Sequence, residues 1–214
     1  TSEHPFAHYV RILGKGRTGS RSLTSAEAEQ AMQMILQGNV APEQIGAFLM
    51  LLRVKEESPE EIAGFVRACR NDILNKRNGF KNAGDIQADL DWSTYAGKRQ
   101  QPHWFVLAIL LLARNGYRVF VHGTEGHTAG RVYTREVFEY LSLPIAHNWN
   151  DVAIQLEQDN LCYMPLATLC SKLQELIQLR QLFGLRSPVH TLCRLLNPLG
   201  ASTTMQSVFH PSYA

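Results

Sequence analysis

The stretch Arg118 to Arg131, RVFVHGTEGHTAGR, concentrates the side chains of this sequence that could do chemistry. Four β-favouring residues run into a loop of glycines, histidines and hydroxyls. Gly123, Gly126 and Gly130 would let backbone amides turn toward an anion. Thr124 and Thr128 could add hydroxyl donors, and Arg131 a charge. Glu125 sits inside the same loop and would repel phosphate. The spacing is neither a Walker loop nor a dinucleotide fingerprint. His122, Glu125 and His127 fall as HxxExH, but the glycines forbid a helix there, so no metal site is read. An acid–base pair of His122 and Glu125 lacks a marked nucleophile, and no catalytic residue is assigned.

A second segment, DLDWSTYAGKRQQPHWF (Asp89 to Phe105), interleaves Trp92, Tyr95 and Trp104 with Lys98 and Arg99. Aromatic faces between cations suit base stacking and phosphate contact. The alternative is that Trp92 and Tyr95 are core residues and the cations solvated. RILGKGRTGSR adds Arg11, Lys15, Arg17 and Arg21, and NKRNGFK adds Lys76, Arg77 and Lys81. Each is either a solvated face or a phosphate-tracking surface.

The elements around these segments announce themselves by their ends. TSAE, from Thr24, is a capping box, and Ala28, Met32, Ile35 and Leu36 follow on one face before Gly38 stops the helix. Pro42 opens the next helix, with Ile45, Phe48, Leu49 and Leu52 as its stripe. SPEE, from Ser58, is a second capping box, followed by Ile62, Phe65, Val66 and Cys69. Three short amphipathic helices make a small bundle over residues 1–80. NKRNGFKNAGD reads as a linker. WFVLAILLLA reads as a helix buried on all sides, and is far shorter than the ~18 residues of a membrane span. The strand RVFV, the glycine loop and a helix from Thr134 follow. Helix, strand, loop and helix are the grammar of an α/β domain with a mainly parallel sheet, over 84–165 and 186–214. CSKLQELIQLRQLF is a further amphipathic helix, at about 168–184, that rejoins the helical domain. With so little strand the α/β domain is expected to continue past Ala214.

Composition sets wider bounds. The chain has 214 residues, 45% hydrophobic and 19% charged, with a net charge of +2. This describes an ordinary globule, and the charge is too small to identify a partner. The four cysteines are far apart and form no zinc or disulfide pattern, which fits reduced, buried thiols in the cytoplasm. The N-terminus lacks the charged start and apolar core of a secretion signal.

The residues from Leu23 to Arg70, above all GAFLMLLRVKEESPEEIAG, resemble the N-terminal helical domain of the anthranilate phosphoribosyltransferase family (glycosyltransferase family 3). That domain is shared with the class II pyrimidine nucleoside phosphorylases. The likeness continues: VHGTEG falls where those enzymes carry a Lys-His-Gly-Asn-Arg loop, VFEYLSLP on the helix after it, and RQLFGLRSPVHTLCRLLNPLG on a later signature. It implies a homodimer through the first helices, with Met32 and Phe48 near the interface. It also implies phosphate or ligand contacts from Ser93, Thr94, His122, Gly123, Thr124 and Arg131. Arg186 matches the arginine that meets anthranilate.

The departures lie in the donor site. The Gly-Thr-Gly-Gly-Asp loop is absent, Asp91 replaces an asparagine, and Val121, Thr124 and Glu125 replace lysine, asparagine and arginine. The acidic magnesium motif would lie past Ala214, so magnesium follows only if the chain is a transferase. Two carboxylates gained and two cations lost disfavour pyrophosphate. The reading is therefore a divergent offshoot of the family that binds DNA or other nucleic acid without sequence preference, through Lys98, Arg99, Arg11, Lys15, Arg17 and Arg21. The alternative is an active glycosyl or phosphoribosyl transferase with an altered acceptor.

Overall fold

The structure is a computed structural model that describes residues 3–16, 18–81, 86–97, 100–126 and 128–207. It begins with a helical bundle. Helix α1 (Ala7–Gly14) leads into α2 (Ser25–Leu36), α3 (Pro42–Lys55) and α4 (Pro59–Arg77). Both expected capping boxes form: the Thr24 and Ser58 hydroxyls accept from the Glu27 and Glu61 amides, and each glutamate returns to the cap. Glu61 goes further. Its carboxylate, fully buried, also accepts from the Leu23 amide and from Lys55 Nζ, at 2.8 Å each. One cap therefore ties α4 to α3 and to the entry of α2. Helix α1 is only eight residues long and has no side-chain cap at its N-terminus, so it lacks the end signals that mark the other bundle helices. Tertiary contact supplies the stability, with Phe6, Tyr9 and Leu13 buried.

The second part is α/β. Strands β1 (Leu90–Thr94), β2 (Val119–Gly123), β3 (Leu161–Pro165) and β4 (Thr203–Met205) pair in the order β3-β2-β1-β4, all parallel. Helices α5 (Phe105–Arg114), α6 (Thr134–Tyr140) and α7 (Trp149–Gln158) lie in the crossovers. Val119, Val121, Leu161 and Tyr163 face α5 and α6 across one small core. Phe120, Cys162 and Met164 face the other way, into a core continuous with the helical bundle.

The chain then returns toward the bundle through α8 (Leu166–Leu169), α9 (Ser171–Gln178) and α10 (Arg180–Phe183) before α11 (Val189–Arg194). The single amphipathic helix expected here is divided between α9 and α10, and Phe183 reaches α3, where a Cβ on Gly46 would meet its ring at 3.7 Å. Arg70 of α4 donates to the carbonyls of Leu196 and Leu195, and binds the bundle to the segment after α11. All four cysteines are buried and unpaired.

Two expectations are corrected. Helix α5 is not buried on all sides: Leu107 and Leu111 are 57% and 63% exposed. It covers only one face of β2 and β3, so apolar composition alone misled. Met32 and Phe48 are sealed inside the bundle and cannot face a partner chain. Among the described residues no helix is long and apolar enough to cross a membrane.

The contact of α2 with α4 depends on Gly64. A Cβ there would lie 2.3 Å from the Ser25 carbonyl oxygen and 2.8 Å from Ala28 Cβ. Gly64→Ala is expected to destabilise the chain by about 1–3 kcal/mol, as overpacking of a filled core does. Urea denaturation measures this, and an unchanged midpoint would show that the two helices do not approach so closely.

Candidate functional site

The carboxyl ends of β1 and β2 define the site. Parallel pairing sets Ser93 beside His122 and Thr94 beside Gly123. The approach is close: a Cβ on Gly123 would lie 2.3 Å from the Thr94 carbonyl oxygen. Only glycine lets the two strands end together there. Thr94 Oγ1 donates to the His122 carbonyl at 3.1 Å and fastens the same corner.

Beneath that corner is a buried polar relay. Tyr95 Oη lies 2.6 Å from His122 Nδ1, and His122 Nε2 lies 3.2 Å from Asp91 Oδ2. A tyrosine hydroxyl donating to Nδ1 leaves the Nε2 proton for the carboxylate. All three side chains are buried, and Phe120 stacks on the imidazole. Burial pushes the Tyr95 hydroxyl well above its ordinary value of 10.0, with Cys193 and then Asp91 adding to the effect. Tyr95, 5% exposed, forms part of the cavity wall, while His122 does not line the cavity. Asp91 does not line the cavity, and its Oδ2 is engaged by His122.

The loop after β2 is held from two sides. Glu125 pairs with Arg135 at 2.7 Å, and Arg135 also holds Glu139 at 2.8 Å. The second carboxylate expected in the pocket is thus engaged by a guanidinium ten residues on. Thr124, also buried, donates to Gln174 of α9 at 2.7 Å, Arg180 of α10 donates to Thr128, and Gln181 donates to the Gly126 carbonyl. The loop docks on the returning helices instead of curling over a ligand.

The cavity itself, about 390 Å³, opens at the end of β1 beside β4. Its walls include Trp92, Ser93, Thr94, Trp104, Phe105, Arg186, His190 and Arg194. Of the residues expected at a ligand site, Ser93, Thr94 and Arg186 line it. Gly123, Thr124 and the rest of the described loop do not. Arg131 stands beside it, donating to the Gly97 carbonyl at 3.1 Å. Ser93 Oγ is buried and has no hydrogen-bond partner among the described residues.

The cationic side is richer than the sequence suggested. Burial, and then the guanidiniums of Arg180, Arg131 and Arg194, push the Arg186 pKa down. Arg131, Arg186 and Arg194 form no ion pair among the described residues. Among the described residues Arg194 donates to the carbonyls of His190 and Ser207. Arg180 was missed because it lies on a helix read for its apolar stripe, and Arg194 because its segment was read only for its family likeness. No local spacing reveals that they converge with Arg131.

The surface cations stand differently. Arg11 pairs with Glu3, and Arg21 makes two 2.7 Å bonds to Glu27, whose carboxyl is held down to about 2, first by Arg21. Lys15 is exposed. Lys98, Arg99, Arg17 and His127 lie outside the described residues. No three His, Cys, Asp or Glu side chains converge as a metal site among the described residues.

The helical bundle and the parallel sheet have counterparts among known proteins. Residues 9–72 match the helical bundle domain of the glycosyl transferase family. Over 206 residues the chain is 27% identical to the uncharacterized protein YbiB of Escherichia coli strain K12, covering 95% of this chain and 63% of that one. It is 29% identical over 201 residues to the anthranilate phosphoribosyltransferase of Brevibacillus brevis, covering 92% and 54%. The crystal structure of anthranilate phosphoribosyltransferase from Thermus thermophilus superposes with a TM-score of 0.77 at 21% identity, over 99% of this chain and 60% of that one. The Saccharomyces cerevisiae enzyme in complex with PRPP and Mg gives 0.67 at 16%, over 92% and 56%. The fold is that of the anthranilate phosphoribosyltransferases, and the chain spans between about half and two thirds of the length of these relatives.

The relay yields a test. Tyr95→Phe leaves His122 Nδ1 buried without a donor and is expected to remove about 1–3 kcal/mol of stability. A tyrosine whose pKa is raised on folding stabilises fully below its unfolded value, and that stability is lost as pH rises through the folded one. The parent should therefore lose stability above about pH 10, and Tyr95→Phe should lose less over the same window. Parallel pH profiles of the two urea midpoints would rule out a neutral, buried Tyr95.

Proposed function

We propose that the cleft receives a phosphorylated ligand and that the chain is part of a glycosyl or phosphoribosyl transferase with an acceptor other than anthranilate. One observation carries this: Arg186 and Arg194 share a cavity with an unpartnered buried hydroxyl, Arg131 stands beside them, and none of the three has a carboxylate partner among the described residues. Guanidiniums gathered without acids suit an anion, and a planar fork suits phosphate. The two carboxylates that argued against pyrophosphate no longer do so, since Asp91 serves His122 and Glu125 serves Arg135. The similarity to anthranilate phosphoribosyltransferases supports the same reading. An altered acceptor follows from the cavity walls, where indoles and a phenyl ring crowd the end of β1. Magnesium enters only with this reading. No set of described residues builds a cage for it, and no step is assigned to it. The proposal keeps the homodimer that the family resemblance implies, through a surface that excludes Met32 and Phe48.

Calorimetric titration with phosphoribosyl pyrophosphate and with inorganic phosphate tests the reading. Both are expected to bind at low ionic strength. Arg186→Ala removes a charge-assisted hydrogen bond of about 1.5–3 kcal/mol, a weakening of roughly 10- to 150-fold. If neither ligand binds the parent, the cleft is not a phosphate site.

Non-specific nucleic-acid binding is the second reading, favoured by one observation: Trp104, at the mouth of the cavity, is 68% exposed beside these cations. Lys98 and Arg99 remain its expected phosphate contacts. Affinity for single-stranded DNA should then fall with salt at a slope of about −0.7 per phosphate neutralised. Lys98→Ala with Arg99→Ala should weaken all sequences alike. Gel shifts across salt check both, and absence of any complex at low salt would dismiss this reading.

A further inference from the structure

The cavity has two chemically distinct sides. From β1 and the start of α5 come Trp92 and Phe105, whose rings stack at 6.1 Å between centroids and 22° between planes. Such geometry lies within the usual range for aromatic pairs. Trp104, one residue before Phe105, turns its indole largely to solvent at the same opening. From α11 and the turn before it come Arg194 and Arg186. Between the strand and the cations lies Ser93, more than nine-tenths buried and with its hydroxyl unpartnered among the described residues.

An anion alone would use only the second side. Inorganic phosphate or a sugar phosphate would leave the indoles idle, and the Trp104 indole at the pocket mouth offers an open aromatic face for a planar ring. A single-ring aromatic acid would underfill a cavity of about 390 Å³, since pockets of about 300–1,000 Å³ enclose drug-sized ligands. Two guanidiniums balance one phosphate monoester, which carries about −1.5 to −2 at pH 7. The ligand that uses every wall has a planar base, a polar spacer within reach of a hydroxyl, and one terminal phosphate.

Resting on the reading of this cleft as a phosphate site, we propose that its ligand is a nucleoside monophosphate. The base lies against the Trp92–Phe105 pair and Trp104, the sugar passes Ser93, and the phosphate meets Arg186 and Arg194. Base stacking sets the ring preference and the arginines set the charge.

Titrations of the full chain with AMP, UMP, ribose 5-phosphate and benzoate, followed by tryptophan fluorescence and by calorimetry, test this. AMP is expected to bind tighter than ribose 5-phosphate by about 5- to 150-fold, the contribution of one stacked base. Trp104→Ala should abolish that advantage and leave ribose 5-phosphate binding as in the parent. The exposed position of Trp104 keeps this variant folded. Arg186→Ala should weaken AMP and ribose 5-phosphate alike. Equal affinities for AMP and ribose 5-phosphate overturn the inference while the phosphate reading stands. Binding of none of the phosphates overturns both. Benzoate competing as well as AMP makes the site one for aromatic acids, and binding of oligonucleotides without mononucleotides makes it a nucleic-acid surface. Either result overturns the inference.

Discussion

The site side of this molecule depends on one buried hydrogen-bonded chain, Tyr95 to His122 to Asp91. Three polar side chains with almost no solvent access lie at the corner where β1 and β2 end. Their two hydrogen bonds favour one arrangement, because breaking either would orphan a buried donor or acceptor, while Asp91 Oδ1 has no hydrogen-bond partner among the described residues. His122 sits on β2, Asp91 within β1 and Tyr95 just after it, so the relay locks the two strand ends in register. Gly123 against Thr94 locks the same corner sterically. Trp92 and Ser93 occupy the next positions of β1 and inherit that rigidity, and both line the cleft.

The helical bundle enters the site through a second set of fastenings. Glu61 closes the bundle on itself by combining a helix cap with an ion pair. The returning helices α9 and α10 then reach the loop after β2 through Gln174, Arg180 and Gln181. A loop at the carboxyl end of a parallel sheet is the usual place for a ligand. Here Thr124 donates to the bundle while Thr128 Oγ1 and the Gly126 carbonyl accept from it, and the cavity opens one strand over, toward β1 and β4. The glycines serve the turn, with Gly126 and Gly130 at positive φ, more than an anion.

What the sequence made legible follows the range of the interactions involved. The capping boxes, the proline starts and the Gly38 stop are decided within four residues, and each forms as read. The strand β2 is bounded by turn residues and was equally plain. Strand β1 was hidden because its residues, Leu-Asp-Trp-Ser-Thr, alternate polar and aromatic types for two different duties. Asp91 and Glu125 were read as repulsive because their compensating partners lie 31 and 10 residues away in sequence. The arginine cluster was legible in two members only, Arg131 from its place in the glycine loop and Arg186 through the family resemblance, since Arg180 and Arg194 carry no local signature. Helix α5 shows the converse failure: an almost wholly apolar segment still presents Leu107 and Leu111 outward, because composition does not say how many sides a neighbour covers.

The arginines set the electrostatic character of the cleft. Guanidiniums brought close together without acids repel one another, and their burial adds a desolvation cost that lowers the Arg186 pKa. Neutral carbonyls partner Arg131 and Arg194, which orients them without cancelling charge. A cluster of that kind destabilises the empty protein, and the phosphorylated ligand proposed for the cleft would relieve it. The relief is a differential interaction between free and occupied states, which is what ligand-linked stability requires. The relay beneath holds the strand ends still, so the relief goes into binding and not into rearranging the sheet.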